Sequence, residues 1–150
     1  MISNRHTFGW KMEERLRPLF EKILQEPLVK TANRYNSIDF KGDYWTVEVK
    51  ARPKIDERGN YQDSHTYSEW LLPTCKETAG INMEGQNREL IFFYYWEGDN
   101  SLWYLKYNKD QFATFRREYP PFNPTQEHFY IPKEYFEKVR YIRRPVIAFR

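Results

Sequence analysis

The chain has 150 residues, room for one domain around a single hydrophobic core, and 24 Lys and Arg against 21 Asp and Glu give it a formal net charge of +3. Tyr 12, Phe 11 and Trp 5 supply much of the apolar surface, which excludes intrinsic disorder, and an apolar run such as Ile91–Trp96 is far below the roughly 20 residues that cross a bilayer. The lone Cys75 excludes an internal disulfide, scattered His6, His65 and His128 exclude a Cys/His zinc cage, and MISNRHTFGWK lacks the apolar stretch of a signal peptide, so a soluble, cytoplasmic protein without a membrane partner is expected.

No repeat, low-complexity tract or linker divides the chain, so residues 1–150 are read as one domain. Within 11–25, Met12, Leu16, Leu19, Phe20, Ile23 and Leu24 form one stripe of an amphipathic helix, bent or restarted at Pro18. Between Asn33 and Arg52 the period changes to two around Lys41-Gly42-Asp43-Tyr44, and Gly42-Asp43 fits a two-residue type II′ hairpin that sets Asp39 opposite Thr46. Residues 52–66 read as a polar loop and Trp70-Leu71-Leu72 as a short apolar run. Thr74 and Glu77 fit a capping box opening a helix over about 75–84, with Cys75 in its first turn as a buried structural thiol. The segments 89–96 and 101–107 form the clearest hairpin, its first strand apolar on both faces and therefore central in a sheet. Helices are predicted over Asp110–Glu118 and Pro132–Ile142, the second with Tyr135, Phe136, Val139 and Ile142 on one face and Pro145 beyond its end. Positive charge gathers in 133–150, with six basic and two acidic residues.

The chemistry concentrates in 38–50. Side chains alternate along a strand, so Thr46, Glu48, Lys50 and Arg52 share one face, while Trp45, Val47, Val49 and Ala51 build core on the other. The expected turn sets Asp39 diagonal to Glu48 on the same face, roughly 7–8 Å away along the backbone, a gap that two carboxylates can close around an ion. Carboxylates that converge with a lysine repel one another unless a cation lies between them, and oxygen donors select hard ions, so Mg²⁺ or Mn²⁺ is the expected cofactor. Lys50 then stands where it can orient a water or stabilise charge growing on a phosphate.

Asp39 followed on the next strand by Glu48-Val49-Lys50 resembles the signature of the PD-(D/E)XK nuclease superfamily, with Ser37-Ile38-Asp39 lacking the family's leading proline. The resemblance covers roughly 9–107. It implies a restriction-endonuclease-like α/β core of three layers, a mixed central sheet flanked by helices, and a metal-dependent endodeoxyribonuclease. It also implies that Asp39 and Glu48 bind the metal, that the Val49 carbonyl adds a ligand and that Lys50 serves the nucleophilic water. Many members add a glutamate from the first helix, as Holliday-junction resolvases do, and Gly9-Trp-Lys-Met-Glu13-Glu14 looks similar. Glu13 borders the apolar stripe and Glu14 points away, so Glu13 is the candidate.

Arg52 and Lys54, past the strand end, and Arg140, Arg143 and Arg144 are candidate nucleic-acid contacts, although the last three also fit the wet face of a helix. Cleavage of both strands of a duplex commonly takes two such sites, so a homodimer is a possible partner state, and a compact nuclease of this kind would suit a phage or mobile element. The plainer reading of Asp39, Glu48 and Lys50 is a solvated hairpin face. A rival from another class is a non-catalytic single-strand nucleic-acid-binding module that uses Tyr94, Tyr95, Trp96, Trp103, Tyr104 and Tyr107 with the basic C-terminus. The same rings also read as core packing. A third reading is an interaction protein on a degenerate nuclease scaffold.

Overall fold

A computed structural model describes residues 4–31, 38–78, 87–143 and 146–148. The first helix, α1 (Asn4–Leu24), buries the expected stripe of Met12, Leu16, Phe20, Ile23 and Leu24, and Pro18 sits on its exposed side without ending it. It stops at Gln25, whose φ of 59° lets the Glu26 amide reach back to the Glu21 carbonyl at 3.2 Å. Strands β1 (Val29–Lys30), β2 (Phe40–Lys41) and β3 (Trp45–Arg52) follow as an antiparallel ribbon. Next come β4 (Glu69–Pro73) and a helix, α2, whose described residues are 75–78. The hairpin of β5 (Glu89–Trp96) and β6 (Ser101–Lys106) is as expected, and β5 runs parallel to β3 from Trp45↔Glu89 to Arg52↔Trp96. Then come α3 (Lys109–Phe112), β7 (Arg116–Glu118), β8 (His128–Pro132), a 3-10 turn at Lys133–Tyr135, β9 (Glu137–Lys138), β10 (Arg140–Arg143) and β11 (Val146–Ala148). Among the described residues no helix is long and apolar enough to cross a membrane.

The chain is mixed α/β, built on a mixed six-stranded sheet in the order β1-β2-β3-β5-β6-β9. Because β5 is apolar on both faces, it closes two cores at once. Ile91, Phe93 and Tyr95 pack with α1, Val47 and Val49, where the Phe20 ring stacks on Phe93 at 4.3 Å. Leu90, Phe92, Tyr94 and Trp96 pack on the opposite face with Trp70, Leu72, Phe129 and Ile131. That second face is covered largely by another sheet, β4-β8-β7, where a flanking helix layer is expected.

Two predicted helices are replaced by strands. The 110–118 helix lasts one turn, and Arg116–Glu118 pairs with β8 while Arg116 and Arg117 lie over the rings of Tyr130 and Phe129. The 132–142 helix does not form. Phe136 and Val139, three apart and so neighbours on any helix, are buried in opposite cores, which an extended chain along the edge of β6 permits and a helix does not. The capping box is also absent. The Thr74 hydroxyl turns to the Glu127 carbonyl, while the Glu77 carboxylate meets Arg117 at 3.1 Å and the Tyr107 hydroxyl at 3.4 Å. Helix residues expected beyond 78 lie outside the described residues. Cys75, expected buried, is exposed.

Candidate active site

The β2–β3 turn is one residue further on than its dipeptide signal suggests. The Gly42 amide bonds to the Trp45 carbonyl at 2.8 Å, so Asp43-Tyr44 form the loop, Phe40 pairs with Val47 and Lys41 with Thr46. Gly42 is not among the residues with positive φ, and the type II′ geometry is therefore not used. The turn is held by Glu26, whose carboxylate accepts from the amides of Tyr44, at 3.1 Å, and Trp45, at 3.0 Å. That carboxylate fills the space a side chain at position 42 would need, which is why glycine stands there.

Pairing becomes irregular at Asp39. Its amide bonds to the Val47 carbonyl at 3.0 Å, and the Thr31 amide bonds to its carbonyl at 3.1 Å. Its carboxylate is therefore not laid out diagonally on the strand face, as expected, but turns into the edge of β3, where Oδ2 accepts from the Val49 amide at 2.8 Å. Backbone groups alternate along a strand: the Tyr44 and Arg52 carbonyls bond towards β5, those of Trp45 and Val47 towards β2. The Val49 carbonyl accordingly projects on the same side as Asp39, past the end of the short β2.

Around this edge the other candidates gather. Glu13 comes from α1 and is buried, whereas Glu14 is exposed and pairs with Arg17. Glu48 comes from the face of β3 opposite α1 and is 4% exposed, so the solvated-face reading does not describe it. Burial, the charge of Asp39 and hydrogen bonding to it raise the Glu13 carboxyl to about 7, against the pull of Lys30. Burial first, then Asp39, raises Glu48 to about 8, against the pull of Lys76 and Lys50. Asp39 is thus the neighbour both glutamates share. Lys50 is lowered to about 8 by burial, with Arg52 and Lys76 adding to the effect and Glu48 and Asp39 opposing it. An amine shifted to that range can hold or release a proton near neutral pH.

Two further residues belong to the cluster, a third holds the turn beside it, and none of them carries a motif. Lys30 Nζ lies 2.6 Å from Glu13 Oε1, and Lys76 Nζ, from the first turn of α2, lies 2.9 Å from Glu48 Oε2. Glu26 sets the turn. A buried carboxylate demands a cation, but nothing in the sequence says which of 24 it recruits. Glu48 Oε1 is buried and finds no hydrogen-bond partner among the described residues. Among those residues no three His, Cys, Asp or Glu side chains stand together as a cage for an ion. The donor set nevertheless fits a hard cation: two carboxylates, Glu13 and Glu48, share Asp39 as common neighbour, one oxygen is unpartnered, and one strand carbonyl faces the same edge.

The proposed nucleic-acid contacts fare unevenly. Arg52 bonds through Nε to the Tyr94 hydroxyl at 3.1 Å and lies over that ring, so it is packed into the sheet face. Lys54 is exposed beyond β3, and Arg140 is exposed at the start of β10. The side chain of Arg143 and the whole of Arg144 lie outside the described residues. Tyr94, Tyr95, Trp96 and Tyr104 are buried, Trp103 and Tyr107 half-buried, so these rings are core and do not form a stacking surface. No family model, curated protein or solved structure matches the chain.

Proposed function

We propose that this chain is a metal-dependent nuclease that hydrolyses phosphodiester bonds, with DNA as its substrate, on a restriction-endonuclease-like core. The order of α1, the β2–β3 ribbon, a crossover through α2 to a parallel β5 and the β5–β6 hairpin supports that core. One observation carries the chemistry: Glu13, Asp39, Glu48 and Lys50, drawn from three segments, converge on the edge of β3, where Glu48 Oε1 is buried without a partner. Water cannot solvate that oxygen and Lys76 pairs with the other one, so a cation that reaches Oε1 would lower the cost of keeping the acid there.

Asp39, Glu48, the Val49 carbonyl and Glu13 would hold Mg²⁺ or Mn²⁺. Bound there, the ion supplies Lewis acidity to the phosphodiester and to the water that attacks it. Lys50 holds a proton at Nζ beside the two acids, where it orients the attacking water or steadies charge on the phosphate. Lys54 and Arg140 offer exposed cations for the flanking backbone.

The test is an assay of the purified chain with Mg²⁺ or Mn²⁺ against single-stranded, duplex and branched DNA and against RNA. Cleavage of DNA that EDTA abolishes and that falls at least about 100-fold in Glu48→Ala and Lys50→Ala is the expected result. Undiminished cleavage by Glu48→Ala would overturn the reading, and binding without cleavage that survives EDTA would favour the non-catalytic module.

A further inference from the structure

The carboxylate cluster contains its own cations, and their number is informative. With every group ionised, the state in which carboxylates hold a cation, Glu13, Asp39 and Glu48 bring three negative charges, and Lys30, Lys50 and Lys76 bring three positive ones. Two of the lysines are in direct ion pairs: Lys76, itself partly exposed, on the buried Glu48, and Lys30 on Glu13, where the lysine is 40% exposed. Lys50 makes no such pair among the described residues, although it feels both Glu48 and Asp39.

We propose that Lys30 and Lys76 are resident counter-ions of this cluster, two single charges standing where one divalent ion binds. They give way together when it does, and Lys30 passes to a phosphate of the substrate backbone. The inference rests on the metal-dependent reading above. Exchanging two ammonium groups for one divalent ion leaves the summed charge of the buried cluster unchanged. Adding the ion with both lysines in place would leave an excess of two positive charges at low dielectric, where like charges are costly to hold. A divalent ion also satisfies several oxygens at once, including Glu48 Oε1, which Lys76 does not reach.

The surroundings suit the exchange. Lysine carries its charge on a flexible four-carbon stem and needs no fixed geometry. Lys30 sits on the short strand β1, its ammonium 5.0 Å above the Phe40 ring, and it lines an open groove of about 460 Å³ with Thr31 and Lys41. A Lys30 freed from Glu13 enters that groove beside Lys41, which gives a phosphate two cations next to the acids.

The experiment uses Mn²⁺ alone, with no nucleic acid. Reductive methylation of the wild-type chain, read lysine by lysine by mass spectrometry, should show Lys30 and Lys76 labelled several-fold faster with Mn²⁺ than with EDTA, while Lys109 and Lys133 are unchanged. Calorimetric titration should show Lys76→Met binding Mn²⁺ about fivefold or more tightly than wild type, because a competitor has been removed. If Mn²⁺ binding depends on Glu48 yet the labelling of Lys30 and Lys76 does not rise, the inference fails and the nuclease reading stands. Equal or weaker binding by Lys76→Met has the same meaning, and if that variant does not fold, the wild-type labelling decides. If wild type binds no Mn²⁺, or Glu48→Gln binds it equally well, both fail.

Discussion

On one face of β3, Val47 and Val49 pack among side chains of α1 and β5; on the other, Thr46 and Glu48 are shut from water almost as completely. An alternating strand normally has one dry face and one wet face. Here the polar face is covered as well, by α2 and the elements packed over it, and its burial is tolerated because Lys76 and Lys50 compensate the acid. The aliphatic face would hold in almost any solvent condition, whereas the polar face depends on protonation and on ions.

The severest way to break this contrast is to exchange the two kinds of burial. Val47→Asp puts a carboxylate into the fully buried apolar core against α1 and should cost more than about 4 kcal/mol. Far-ultraviolet circular dichroism should then show loss of cooperative thermal unfolding, and a melt close to wild type would mean that face is not the dry one.

A smaller effect, but one particular to the polar face, comes with pH. Glu48 is raised to about 8 and Glu13 to about 7, so above their ordinary value of 4.5 the folded chain keeps protons that the unfolded chain has lost. Stability therefore falls as pH rises through that window, by at most about 1.4 kcal/mol per unit for each group. Lys50 is lowered to about 8 from 10.5, so between those values the unfolded chain holds the extra proton and stability rises with pH. The two limbs meet in a minimum near pH 8. Urea unfolding at pH 5, 8 and 10 should show that minimum in the metal-free chain, with Glu48→Gln flattening the acid side and Lys50→Met the alkaline side. Profiles of the variants parallel to wild type would detach the polar face from the titration.

The smallest change sharpens the comparison by loosening what aligns the two faces. Glu26→Ala removes the acceptor of the Tyr44 and Trp45 amides in an exposed turn and should cost about 1–2 kcal/mol, lowering Tm by roughly 3–5 °C. The loss of the proposed nuclease activity should exceed what that drop in stability accounts for. Proportionate losses would make Glu26 an ordinary turn residue.

What could be read from the sequence follows the reach of each signal. The stripe of α1, the position of Glu13 beside it with Glu14 facing away, and the double-sided β5 rest on period alone, and each has its counterpart in the fold. Period does not tell whether a polar face is wet. The solvated-face alternative for Glu48 is settled only by the packing of α2, whose Lys76 pairs with an acid 28 positions away. The β4-β8-β7 sheet pairs residues as far apart as Glu69 and Pro132, and β8, His128–Pro132, is too short to declare itself without β4. The C-terminal segment misled for a related reason: spacings of three and four suited a helix, while the free edge of β6 offered an extended chain better hydrogen bonding. The motif singles out Asp39 but does not give its direction: the carboxylate bonds to the β3 edge, beside a turn that Glu26, two residues past α1, holds one residue further on.

That last carboxylate has a mechanical consequence. Glu13 rides on the helix and Glu48 on the strand, and Glu26 braces the end of one against the start of the other, like a strut between two beams. A slide of the helix along the sheet would drag the turn and the first residues of β3 with it, so the acids keep their spacing while the frame around them flexes.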